Sequence, residues 1–122
     1  IDQALSSYRK SLDLSPRDVE CWIDYGSTLL EHGDVLEALQ AFSECTRIQP
    51  DWSEGYYATA KALCVAGQPL SSIEYLKKAF ILAPYKLDDF EREFPAIAGP
   101  LGMEYLRDML QRDTNGDIED AV

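Results

Sequence analysis

Apolar positions along this chain recur at three- and four-residue intervals. Ala38, Leu39, Phe42, Cys45 and Thr46 form one such stripe, and Trp22, Tyr25, Gly26 and Leu29 form another. That spacing puts side chains on one face of an α-helix. No segment alternates at period two with β-branched enrichment, so no sheet is predicted. Gly33 and Gly67 stand where a first helix must stop, because glycine accepts the left-handed backbone of a C-cap. Asp34 followed by Glu37 offers an N-cap with an acid three residues on. Pro69 suits a first helical turn, where its missing N–H costs nothing. The pattern predicts helices at 2–14, 19–32, 35–48, 53–66 and 69–82, and a short one at 87–94 broken by Pro95. A last helix is predicted over 101–112, with Pro100 at its start and Leu101, Tyr105, Leu106, Met109 and Leu110 on one face.

The stripes themselves repeat. Pro16, Pro50 and Pro84 are spaced by 34 residues, and the same offset aligns further sets. Ala4, Ala38 and Ser72 are small. Tyr8, Phe42 and Leu76 are large and apolar, and Ser11, Cys45 and Ala79 are small again. Glu20, Glu54 and Asp88 align, as do Trp22, Tyr56 and Phe90, Gly26 with Ala60, and Gly33 with Gly67. Each unit therefore reads as two antiparallel helices joined by a tight turn and closed by a proline. Small residues opposite large ones let the two helices approach and interdigitate. One such pair cannot bury its own apolar face, so the units must stack.

These residues resemble the tetratricopeptide repeat. Val19 to Trp52 matches best, through Trp22, Tyr25-Gly26, Leu29, Gly33-Asp34, Ala38, Phe42, Cys45 and Pro50. Ser53 to Lys86 follows with Tyr56, Ala60, Leu63, Gly67, Leu76, Ala79 and Pro84, departing at Thr59 (usually Leu) and Ser72 (usually Ala). Residues 1–18 match a second helix alone, with Ala4, Tyr8, Ser11 and Pro16. Leu87 onward starts a further unit and then loses the pattern, as expected of a cap. Its stretch from Asp89 to Pro95 is loosely similar to the closing segment of some bacterial arrays. The resemblance implies an all-α superhelix of antiparallel hairpins in a single domain over 1–112, with units at 1–18, 19–52, 53–86 and 87–112. Residues 113–122 are expected to be an acidic tail.

Charge narrows the partners. Eleven Lys and Arg stand against 22 Asp and Glu, a net charge of −11, so phosphate backbones and anionic membranes are disfavoured and basic partners attracted. Residues 19–52 hold one cation among seven acids, whereas the middle unit carries Lys61, Lys77, Lys78 and Lys86. Such a basic stretch reads first as a solvated helix face. Cys21, Cys45 and Cys64 are too widely spaced for a zinc site or a disulfide framework and read as small apolar residues. The opening Ile1-Asp2-Gln3 lacks an initiator Met and the features of a signal peptide, so a piece of a longer, cytoplasmic protein is expected.

The resemblance also implies a concave face built from the first helix of each unit, where family members hold a peptide or partner segment. Its positions here are Glu20, Ile23, Ser27, Leu30 and Glu31, then Glu54, Tyr57, Lys61 and Cys64, with Asp88 and Glu91 beyond. Some members clamp a terminal carboxylate with cations at these places. Lys61 is the single cation here, so a basic or amphipathic segment fits the acidic rim better. Tyr57 is expected to project into the groove while Tyr56 packs in the core. No catalytic residue, cofactor or metal is expected. His32 has no nucleophile or acid nominated beside it, and the Asp113–Glu119 stretch has its glycine misplaced for a calcium loop. The alternative role is self-association, a homodimer formed through the open N-terminal edge at the first helix.

Overall fold

A computed structural model of the chain describes residues 2–101. Among the described residues seven α-helices follow in order: α1 (Asp2–Leu14), α2 (Val19–His32), α3 (Val35–Ile48), α4 (Ser53–Val65), α5 (Ile73–Leu82), α6 (Lys86–Glu93) and α7 (Pro95–Leu101). No strand occurs among the described residues. Of the predicted helix over 101–112 only Leu101 is described, as the last residue of α7; its remainder and the acidic tail lie outside the described residues. No described helix is long and apolar enough to cross a membrane. Helices pack on their sequence neighbours, α2 on α3 and α4 on α5 most extensively, with α1 on α2 and α3 on α4 joining the units.

The turns repeat atom for atom. Gly33 and Gly67 both take the left-handed backbone, with φ of 95° and 79°. The Gly33 N–H donates to the Leu30 carbonyl and the Asp34 N–H to that of Leu29. Gly67 and Gln68 donate likewise to Cys64 and Leu63. These bonds satisfy carbonyls that a helix end would leave open. The aromatic at the start of each unit ties itself to the preceding proline. Trp22 Nε1 donates to the Pro16 carbonyl at 2.8 Å, and Tyr56 Oη to that of Pro50 at 2.7 Å. Phe90 has no donor to offer Pro84, and there the pattern of the units decays.

Three local expectations change. Asp34 stands at the N-cap of α3, but its side chain makes no capping bond. Its ψ of 67° falls short of the extended backbone seen at Asp18 (ψ 94°), whose carboxylate accepts from the Cys21 N–H. The helix expected over 69–82 opens as a tight 3₁₀ turn at Leu70–Ser72 and becomes α-helical only at Ile73. Ser72 causes this: its N–H and its Oγ both donate to the Pro69 carbonyl, a local bond that Ala38 cannot make in the preceding unit. Pro95 does end α6, yet it also opens α7 at the first helical position, where proline is well tolerated.

Burial follows the period. Ala38, Phe42 and Cys45 are buried against α2, and Ser72, Leu76 and Ala79 against α4. In α1 the matching Ala4 and Ser11 are exposed and Tyr8 is half-buried. The tightest crossing lies in the first hairpin. A Cβ built on Gly26 would stand 2.4 Å from Phe42 Cε1. One unit later the pair is Ala60 and Leu76, both fully buried, where a narrower side chain leaves room for a methyl group.

Gly26→Ala is therefore expected to cost roughly 1–3 kcal/mol in urea unfolding, despite alanine's better helix propensity. Adding Phe42→Leu, which recreates the Ala60–Leu76 pairing, should recover part of that loss. A double variant whose loss equals the sum of the two single losses would show that the contact is not the cause.

Candidate functional site

The site grows from the opposite face of the helices that build the core. On α2, Gly26 and Leu29 are buried in the first unit's packing with Trp22 and Tyr25 half-buried beside them, while Glu20, Ile23, Ser27, Leu30 and Glu31 share the other side. Glu20 and Glu31 are exposed, and Ile23, Ser27 and Leu30 are half-buried. Ile23 and Leu30 rest against the core cluster that also takes Ala58 and Ala62 of α4. The result is a short apolar strip with a carboxylate at each end.

The matching positions on α4 are occupied by the chain itself. Leu87 and Phe90 anchor α6 in the second core, with the Phe90 ring 6.2 Å from that of Phe80 and 5.3 Å from that of Phe94. This anchoring brings Lys86 and Glu93 over α4. Lys86 Nζ pairs with Glu54 Oε1 and lies 4.8 Å from the centre of the Tyr57 ring. Lys61 Nζ meets Glu93 Oε2 at 3.1 Å and lies 5.5 Å from the same ring. Tyr57 Oη donates to Glu93 Oε1 at 3.3 Å. The expectation that Tyr57 projects into an open groove does not hold in this arrangement. Only 5% of the residue is exposed, because α6 and two ammonium groups cover it. Cys64 is also buried, its thiol donating toward Ser72 Oγ at 3.6 Å in the α4–α5 contact. Tyr56 packs against the second core, as expected, with Lys78 Nζ 5.4 Å from its ring centre. Asp88 is exposed and Glu91 half-buried.

Lys86 and Glu93 were not anticipated. Lys86 stands in register with Asp18 and Trp52, the turn position before a first helix, which ordinarily faces solvent. Here it is 5% exposed. Nothing within a single unit signals this, since its partners lie 29 and 32 residues away on α4.

Chemistry at the thiols and the phenol is subdued. Burial pushes the Cys45 thiol up to about 12 and raises that of Cys64. Cys21 is raised by burial and by the carboxylates of Asp18 and Asp24. A thiol held in its neutral form is a poor nucleophile and metal ligand. His32 is exposed in the last turn of α2. Among the described residues, no three or more His, Cys, Asp or Glu side chains gather to hold a metal ion.

The Tyr57 phenol is also raised, by burial first and then by the Glu93 carboxylate. A group whose folded pKa exceeds its unfolded value stabilises the fold below the unfolded value and loses that contribution as pH climbs through the folded one. For a phenol the loss begins near pH ~10. The stability advantage of the native chain over Tyr57→Phe should therefore shrink between about pH 9 and about pH 12. Urea unfolding followed by circular dichroism at stepped pH reads this directly. A constant gap across that range would mean that Tyr57 is not the titrating group.

Comparison with known proteins agrees with the helical period. Residues 7–40, one full period, match the family pattern of the tetratricopeptide repeat. Superkiller protein 3 of Saccharomyces cerevisiae is 27% identical over 71 residues, which is 58% of this chain and 5% of that protein. The chain thus spans about 5% of the length of this curated relative. Repeats of this family generally mediate protein–protein interaction as non-catalytic scaffolds. The matched period, the distant relative and the stacked helical hairpins together support a tetratricopeptide-repeat protein.

Proposed function

We propose that the chain is a non-catalytic interaction module that holds a basic or amphipathic segment of a partner protein along α2. The observation that carries this reading is the contrast between the two units. Glu20, Ile23, Ser27, Leu30 and Glu31 remain accessible to a partner, whereas the matching face of α4 is filled by Lys86 and Glu93. An apolar strip between carboxylates favours a segment with an apolar anchor and cationic flanks. Capture of a terminal carboxylate gains no support, because Lys61 is already paired with Glu93. The acidic balance of the chain likewise opposes nucleic acid and anionic membranes as partners.

The test is a fluorescence-polarisation titration with a labelled Lys- and Leu-containing peptide and a Glu-for-Lys counterpart. The basic peptide should bind more tightly, and Glu20→Lys with Glu31→Lys should weaken it about tenfold at low salt. Equal binding of the two peptides, unchanged by the substitutions, would defeat this reading.

A second reading is favoured by α1. Its Ala4, Tyr8 and Ser11 sit at positions that are buried in both later units, so that face can pair with a second copy of the chain. Sedimentation at two concentrations should then show a dimer that Tyr8→Lys abolishes. A chain that stays monomeric at both concentrations would remove this reading.

A further inference from the structure

A second surface lies on the other side of α2, away from the strip just described. A groove of about 950 Å³ runs between α1 and α3 with α2 as its floor. The floor is aromatic: the rings of Trp22 and Tyr25 meet there at 6.2 Å with a 54° tilt, beside Leu12 and Leu39. Leu36 stands on the rim with 78% of its surface exposed, a large apolar side chain in the first turn of α3. Aromatic floors with apolar rims are the surfaces on which binding energy concentrates.

The groove is particular to this unit and does not follow from the repeat. One period later, Tyr25 is replaced by Thr59, which is buried and bonds back to the Gly55 carbonyl. Glu44 is replaced by Lys78, whose ammonium lies over the Tyr56 ring. In the first unit Glu44 is drawn the other way, to Arg47, while the Arg9 guanidinium lies 5.9 Å from the centre of the Tyr25 ring.

Charge selects the occupant. The walls carry the carboxylates of Asp13, Glu37 and Glu44 and the guanidinium of Arg9, and Arg47 pairs with Glu44 beside them. Arg9 Nε donates to Tyr25 Oη at 3.1 Å, and its Nη2 lies 3.9 Å from Glu37 Oε2, so this cation serves the groove's own structure. The excess at the rim is negative.

We infer that the α1–α3 groove is a docking site for an amphipathic helix of a partner protein, with leucine-sized anchors at three- and four-residue spacing and lysine or arginine flanking them. The anchors lie on Trp22, Tyr25 and Leu39, Leu36 closes over one side, and the flanking cations meet Asp13 and Glu37. The site is separate from the strip on the opposite face of α2, so each stands or falls alone.

The probe is a labelled helical peptide with leucines at such spacing and lysines between them, compared with a scrambled peptide of the same composition. Leu36→Asp changes an exposed side chain and should leave the melting temperature unchanged. It should weaken the helical peptide about tenfold, as loss of an interface anchor does. Glu37→Lys should weaken it further at low salt, while Glu31→Lys on the opposite face leaves it unaltered. Equal binding of the scrambled peptide overturns the inference. So does loss of binding in Glu31→Lys with Leu36→Asp silent. If sedimentation instead shows a dimer that Leu36→Asp dissolves, the occupant is a second copy and the helical-partner inference falls.

Discussion

Where α2 crosses α3, the Phe42 ring lies against the backbone of Gly26, closer than any β-carbon would permit. That approach sets the hairpin. With the two helices this near, Leu29, Ala38 and Cys45 lose all contact with water, and the thiol of Cys45 comes within 3.5 Å of the Val19 carbonyl. The same approach fixes which sides of α2 remain outside. One presents Trp22 and Tyr25, the other Ile23 and Leu30. A wider crossing would rotate or separate these faces. Side-chain packing between neighbouring helices, rather than long-range contact, thus determines where a partner can be held.

The units solve this crossing differently, and the difference propagates. Ala60 with Leu76 replaces Gly26 with Phe42, and the second core gains its bulk from Phe80 and Phe90 instead. Phe90 comes from α6, so the second unit is completed by the segment that follows it. Once α6 is anchored there, Lys86 and Glu93 fall over Tyr57 and the neighbouring charges pair. Partly exposed pairs such as Lys61–Glu93 contribute little each, because water screens them. Burial of Leu87 and Phe90 is the dominant force, and the charges make the covered face consistent with it.

Most of this architecture was legible because its causes are local and repeat. The prolines and the Gly33 and Gly67 turns act within a few residues of the chain, the small–large pairs act within one hairpin, and a period of 34 lets one unit check the next. Two departures were also local but silent in a pattern of size classes. Ser72 counts as small beside Ala38, yet its hydroxyl tightens the turn at Pro69. Pro95 counts as a breaker, yet it is a good first residue. The covering of Tyr57 was not legible at all. Helical position correctly puts its ring on the side of α4 away from the first unit's core. What occupies that side depends on a segment some 30 residues on, in the one unit whose pattern decays.

This distinction bears on what such a chain can do. A face that resemblance alone marks as binding can be occupied from within, as α4 is by α6. A face that the repeat does not mark can be altered by a single exchange: Glu44 turns to Arg47, where one period later Lys78 lies over the Tyr56 ring. Each surface is set by departures from the repeat, whereas the repeat itself supplies a rigid frame. Units that share one period can therefore present unlike surfaces, because the hairpins are held by the small–large crossings and the surfaces by the positions that those crossings leave free.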